Sequence, residues 1–306
     1  MGRPQTAICP EGGNFGLYMT GLLSDEDTAI ATLRQVAAAL PSLTSDWARR
    51  LDEATLVSAI GFGAAVWRPL FGERKPAELA PFEAIADGPR IAPATPADFF
   101  LHIHSARHDA NFALARDVRH RLGGAVRRVE EVHGCRNAGG RDLTGFVDGT
   151  ENPKGEERAE VALVGDEDPV FAGGSYVSVQ RYVHDLARWQ RLALAEQEAT
   201  IGRTKAGDEE LADDVKPPTA HIARVVIEDE GRELQVLRHS LPYGNTAECG
   251  LYFVAYGRSP APFRRMLERM VRADEAGHFD RLLDYTRAVS GASFFVPSVD
   301  ILSAVR

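Results

Sequence analysis

The sequence predicts an α+β fold of two tandem ferredoxin-like modules, with antiparallel sheets and helices packed on them. Three observations carry this. A βαββαβ order of elements is legible over residues 15–133, a similar order returns over residues 176–270, and a polar, glycine-rich connection from Gly134 to Gly174 lies between them. A chain of 306 residues suits two such units. The expected division is an N-terminal module over 1–145 and a C-terminal module over 146–306.

In the first half, Phe15–Leu23 is mostly apolar and reads as a strand. Ser24 and Asp27 resemble a capping-box start. Ile30, Leu33, Val36, Ala37 and Leu40 then recur at helical spacing. Leu56–Trp67 and Phe99–His104 read as strands, Asp109–Leu122 as a helix and Val126–His133 as a closing strand. In the second half, Tyr176–Tyr182 alternates as a strand does. Asp185 can cap a helix carrying Leu186, Trp189 and Leu192. His221–Ile227, Leu234–Leu237 and Leu251–Ala255 read as strands, and Phe263, Met266, Leu267 and Met270 mark a helix.

Composition narrows the function. Hydrophobic residues make up 44% and charged residues 26%, an ordinary globular balance. The formal net charge of −9 argues against nucleic acid or an anionic membrane as partner. Cys9, Cys135 and Cys249 are odd in number and form no CxxC, so neither a disulfide framework nor a cysteine zinc site is expected. The start lacks the basic and apolar regions of a signal peptide, and no apolar run approaches the ~20 residues of a membrane helix. A cytoplasmic protein is expected.

Four segments could carry chemistry. Gly145–Pro153, GFVDGTENP, holds Asp148 on a glycine-flanked turn. On its own it is also a common surface turn. His221, in PPTAHIARV, stands at the entry to an apolar stretch, where a neutral imidazole can bind a metal or simply hydrogen-bond in the core. Arg238, in VLRHSLPYG, follows an apolar run, and its ordinary role would be a surface ion pair. Asp284 precedes an aromatic tail that reaches Pro297, and could equally be a helix cap.

Taken together and in this order, these segments resemble the B-type dye-decolourising peroxidases. PEGGNFGLYM at 10–19, GGSYVSVQRYVHDL at 173–186, IGRTK at 201–205 and the SGASFFVPS segment extend the likeness over nearly the whole chain. The resemblance implies two ferredoxin-like modules of the dimeric α+β-barrel type, with haem b in the C-terminal one. It implies a haem peroxidase that uses hydrogen peroxide to oxidise dyes and other phenolic or aromatic donors by single electrons, through a ferryl intermediate. His221 would be the proximal iron ligand and Asp284 the acid on its far nitrogen. Asp148 would be the distal acid–base residue and Arg238 the distal arginine. Arg203 would meet a haem propionate, and Gly149, Thr150 and Glu151 would border the cofactor. Ser240 stands where many relatives carry asparagine, and a hydroxyl offers fewer donors than an amide.

These residue types suit that reaction. A histidine hydrogen-bonded to a carboxylate makes an electron-rich axial ligand. A distal carboxylate can take a proton from peroxide and return it to the leaving oxygen. An arginine, always charged, can stabilise the negative charge that develops there. An aspartate base, with an unperturbed pKa of ~3.9, should also work well below pH 6. Trp189, Tyr176, Tyr182 and Tyr285 are candidate electron relays for donors too large to enter. Glu151, Glu210 and Glu233 would attract a cation such as manganese if the fold gathers them. The family likeness also implies a homo-oligomer. The ending Ile301–Arg306 carries no expected tail for packaging into a protein compartment. The rival class is a haem carrier, which would need His221 and Arg203 but not Asp148 and Arg238.

Overall fold

The computed structural model describes residues 2–10, 13–229 and 231–304. Glu11 and Gly12 of the PEGGNFGLYM segment and the last two residues of Ile301–Arg306 lie outside them. The first half contributes β1 (Phe15–Leu23), α1 (Ala29–Leu51), β2 (Val57–Phe62), α2 (Ala64–Phe71), β3 (Phe99–Ser105), α3 (His108–Leu122) and β4 (Val126–Cys135). The second contributes β5 (Ser175–His184), α4 (Leu194–Ile201), α5 (His221–Val225), β6 (Leu237–Arg238), β7 (Leu241–Gly244), β8 (Cys249–Gly257), α6 (Ala261–Val271) and β9 (Thr286–Val296).

These strands form one antiparallel sheet in the order β6-β8-β7-β4-β1-β3-β2-β9-β5. A further pairing of β8 with β5 closes it into a barrel. Each half supplies four neighbouring strands in the same relative order: β4-β1-β3-β2 and β9-β5-β8-β7. The two seams are thin, with Tyr243 pairing Gly134 at one and Phe295 pairing Phe62 at the other. Side chains alternate across each strand. One face fills the barrel with Tyr18, Phe100, Val179, Tyr252, Val254 and Phe294. The opposite face of the first four strands packs Leu17, Met19, Leu101 and Ile103 against α1 and α3. On the second half the outer face packs Ala255 against Phe263, Leu267 and Val271 of α6.

Several expectations shift. The strand expected to reach Trp67 ends at Phe62, because Gly63 donates to Asp98 and opens α2, where Trp67 is buried. α1 begins after Thr28 with no side-chain cap, so Ser24 and Asp27 do not form the expected box. The helix after Asp185 is one turn, Leu186–Trp189, although Asp185 does accept from Arg188 N as a cap. Of the expected 234–237 strand only Leu237 joins the sheet, and the strand continues to Arg238. His221–Val225 is a helix rather than a strand. Its Arg224 is buried and donates to Arg269 O of α6 and to Asp274, so contacts with α6 override the β-branched sequence. β9, over the SGASFFVPS segment, is an additional strand.

Candidate active site

A cavity of about 200 Å³ lies on the outer face of the second half-sheet, bounded by β5, β8, α5, α6 and the loop around residues 147–151. Leu251, Phe253, Met266, Leu267, Met270 and Ile201 give it apolar walls. Asp148, Gly149, Thr150, Glu151, Arg203, His221 and Arg238 all line it. Residues from four separate segments of sequence thus meet in one place.

His221 opens α5, just after the Pro217-Pro218 turn. Its Nδ1 donates to Asp280 Oδ2 at 2.6 Å. Asp280 is fully buried and accepts from Leu282 N through its other oxygen, while its own N–H donates to Met270 O. That carboxylate is engaged through both oxygens on a backbone that is itself tied down, and it fixes the imidazole plane. The expected partner, Asp284, lies one short helical turn further along and pairs with Arg281 at 2.7 Å. Asp280 therefore replaces Asp284 in this role. The sequence DRLLD offers two carboxylates, and only the burial of the first beside α6 selects it.

The Asp148 loop is shaped by its glycines. Gly145 and Gly149 sit at φ +89° and +86°, and a Cβ on Gly145 would come within 2.5 Å of Lys205. Asp148 N donates to Gly140 O. Burial raises the pKa of Asp148, partly opposed by the positive charge of Arg238. Asn152, in the same loop, accepts from Arg238 N at 2.8 Å and donates to Arg238 O at 2.9 Å. This amide clamps the loop to β6, so the carboxylate and the arginine keep a common frame. Arg238 Nε is buried without a partner among the described residues. Such an unmet donor costs free energy unless something arrives to accept from it.

Arg203 donates to Asp208 and, at 2.8 Å, to Glu151. Thr150 donates to the same Asp208. The rim is therefore one connected network. Burial raises the pKa of Glu233, and so does the negative charge of Glu151, with weaker pressure from Glu157 and Glu210. Glu233 thus feels the other two expected glutamates, yet Glu210 is tied to Lys216, and among the described residues no group of three or more His, Cys, Asp or Glu is placed to hold a bare metal ion. Ser240 is not among the cavity's lining; its Oγ accepts from Val254 N at 3.2 Å inside the sheet. Its expected contact with the site is corrected to a structural one. Sequence reasoning also missed His184, which lines the cavity between Thr286 (2.7 Å) and Asp142 (3.3 Å). Burial works to raise the pKa of Asp142, but hydrogen bonds from His184 and Thr144 prevail and lower it.

The donor set fits an iron that brings its own equatorial ligands. It offers one imidazole oriented by a carboxylate, a broad apolar slot, and arginines at the edge and interior of the slot. Of the candidate relays, Tyr182 lines the cavity, Trp189 stacks edge-on with Tyr285 at 5.3 Å, and Tyr176 packs against Phe295 on the outer core.

Two family models match the chain: "Dyp-type peroxidase, N-terminal" over residues 5–136 and "Dyp-type peroxidase, C-terminal" over residues 139–301. A dye-decolorizing peroxidase from Rhodococcus erythropolis is 43% identical, covering 88% of this chain and 80% of that protein. One from Mycobacterium tuberculosis is 44% identical over 81% and 78%. Among solved structures, a variant of DypB from Rhodococcus jostii RHA1 in complex with heme superposes with a TM-score of 0.93 at 39% identity, covering 98% of each chain. The encapsulated DyP-type peroxidase from Mycobacterium smegmatis superposes with a TM-score of 0.94 at 40% identity, covering 99% of this chain and 98% of that one.

Proposed function

Because the chain belongs to the Dyp-type peroxidase family, we propose that its cavity binds haem b through His221 and that the enzyme uses hydrogen peroxide to oxidise organic donors, dyes and phenolics among them, one electron at a time. The observation that carries this is the convergence of the His221–Asp280 pair with Asp148 and Arg238 on a single cavity. The repeated strand order supports reading the halves as tandem ferredoxin-like modules of the dimeric α+β-barrel type.

Haem, when bound, supplies the redox-active iron and four of its ligands. The protein does the rest. Asp280 holds the Nδ1 proton of His221, which leaves Nε2 as the ligating lone pair and makes it more basic. Asp148 takes a proton from one peroxide oxygen and returns it to the other, which departs as water. Arg238, whose Nε has no partner among the described residues, stabilises the charge on the departing oxygen. Arg203, on the rim, would exchange part of its contact with Glu151 for a propionate.

The test is an absorption spectrum of the haem-loaded protein before and milliseconds after one equivalent of peroxide. Rapid conversion, reversed by a reducing dye, is expected. A haem band that ignores peroxide would make the protein a haem carrier. The pH dependence follows from Asp148. It must be ionised to accept a proton, and burial raises its pKa, so the acid limb of the peroxide reaction should lie above the ~3.9 of a free aspartate. Stopped-flow rates measured down the pH scale would show it.

Asp280 and Asp284 are separable in the same way. Asp280→Asn should weaken haem binding by about 10–100-fold, the usual effect of losing such an outer partner. Asp284→Asn should leave it unchanged. Haemin titration of the two variants decides between them.

A further inference from the structure

The interior of the barrel holds side chains that the peroxide chemistry above does not use. His102, Tyr18, Tyr252 and Tyr256 are at most 1% exposed, and His239 joins them. The rings form one packed set. Tyr18 stacks on Tyr252 at 4.4 Å and on His102 at 5.2 Å. His239 lies 5.9 Å from His102 and 5.6 Å from Tyr256. A barrel of this kind could be filled with aliphatic side chains at no cost in polar desolvation. Here the Tyr256 hydroxyl lies 3.0 Å from His102 Nδ1, and His102 Nε2 has no partner among the described residues. Burial keeps His102 neutral, so Nδ1 is available as an acceptor.

The set backs directly onto the cavity wall. Leu237 pairs Tyr256, and Arg238 pairs Ala255, across β6 and β8. Alternation puts Arg238 on the cavity and Tyr256 inside the barrel. Phe253 lines the cavity, while its neighbours Tyr252 and Val254 point inward. Tyr18 reaches the same wall, donating to His239 O at 2.7 Å.

We infer that this cluster is a buried site of reversible one-electron oxidation, with Tyr256 as the residue oxidised and His102 as its proton acceptor. The inference rests on the peroxidase reading above, which supplies the oxidant. The O–H bond of Tyr256 breaks. Its proton passes to Nδ1 of His102, its electron crosses one strand to the peroxide-oxidised cofactor, and a neutral tyrosyl radical remains. An electron from an organic donor and the proton held by His102 restore the starting pair. The cluster thereby stores one oxidising equivalent inside the barrel when no donor is at hand.

The experiment is freeze-quench electron paramagnetic resonance of the haem-loaded protein after one equivalent of hydrogen peroxide without donor. A tyrosyl signal is expected, coupled to nitrogen in protein labelled with ¹⁵N-histidine. Tyr256→Phe should lose that signal while the stopped-flow rate of the peroxide reaction stays as in the wild type. The labelled wild-type spectrum decides the matter even if the variant folds poorly. A tyrosyl signal without histidine coupling, a signal unchanged in Tyr256→Phe, or a fast peroxide reaction that leaves no protein radical would each overturn this inference alone. A loaded protein that ignores peroxide would overturn the peroxidase reading and this inference together.

Discussion

Asp148→Asn should slow the reaction of the haem-loaded protein with hydrogen peroxide by about 10²–10⁴-fold, the usual worth of a positioned general acid–base group. The amide keeps the shape of the side chain but can no longer accept a proton. Haem binding should survive, because His221 and Asp280 hold their own network away from the 145–153 loop. Stability should move the other way. The folded-state pKa of Asp148 is raised, so the folded protein binds more protons at this site than the unfolded chain does. Wild-type stability from this group is therefore full below the unfolded pKa of ~3.9 and is lost as pH rises through the folded value. At neutral pH the Asn variant avoids that loss and should melt higher than wild type; near pH 3 the difference should vanish. Paired thermal melts and stopped-flow traces test both halves. A variant that reacts with peroxide at the wild-type rate would remove Asp148 from the chemistry.

Arg238→Leu should cost about 10²–10³-fold in the same step, as loss of a preorganised donor to a developing anion does. The Asn152 clamp contacts only the main chain of Arg238, so the backbone should hold its place in the variant. The loss would then report the guanidinium itself. Removing it also takes away the main charge that lowers the Asp148 pKa. The acid limb of the pH profile should therefore shift upward in Arg238→Leu relative to wild type. A lysine at this position restores charge but not the planar fork, and should recover only part of the rate. If Arg238→Leu falls further than Asp148→Asn, charge stabilisation outweighs proton transfer in this enzyme. An unchanged pH profile would show that the two side chains do not share a field.

Much of this site was legible before any fold was drawn. Asp148, His221, Arg238 and Arg203 each sit in a short segment whose neighbours are distinctive, and all four line the cavity. The errors cluster where local sequence is ambiguous. Asp280 and Asp284 stand at the two ends of one short helical turn, alike in type and context. What separates them is that Asp280 is buried under Met270 and His221, a long-range fact. His221–Val225 has strand-like composition, yet buried Arg224 bonds to α6 and draws it into a helix. Ser240 sits two residues after a cavity residue, and β-alternation alone would put it on the same side as Arg238, but its hydroxyl is taken up by Val254 N of β8. Asn152 left no mark beyond a turn signal, because its role is to join two segments 86 residues apart.

The sequence by itself determined the family, the strand–helix order of the first half and the segments that carry Asp148, Arg238 and His221 to the cavity, since each depends on residue type within a few neighbours. Only the tertiary structure decided that the two repeats close into one barrel, that Asp280 rather than Asp284 supports His221, and that histidines and tyrosines share the barrel's interior. Those outcomes depend on which surfaces lose water together. Burial and pairing between distant segments set that, and no local pattern records it.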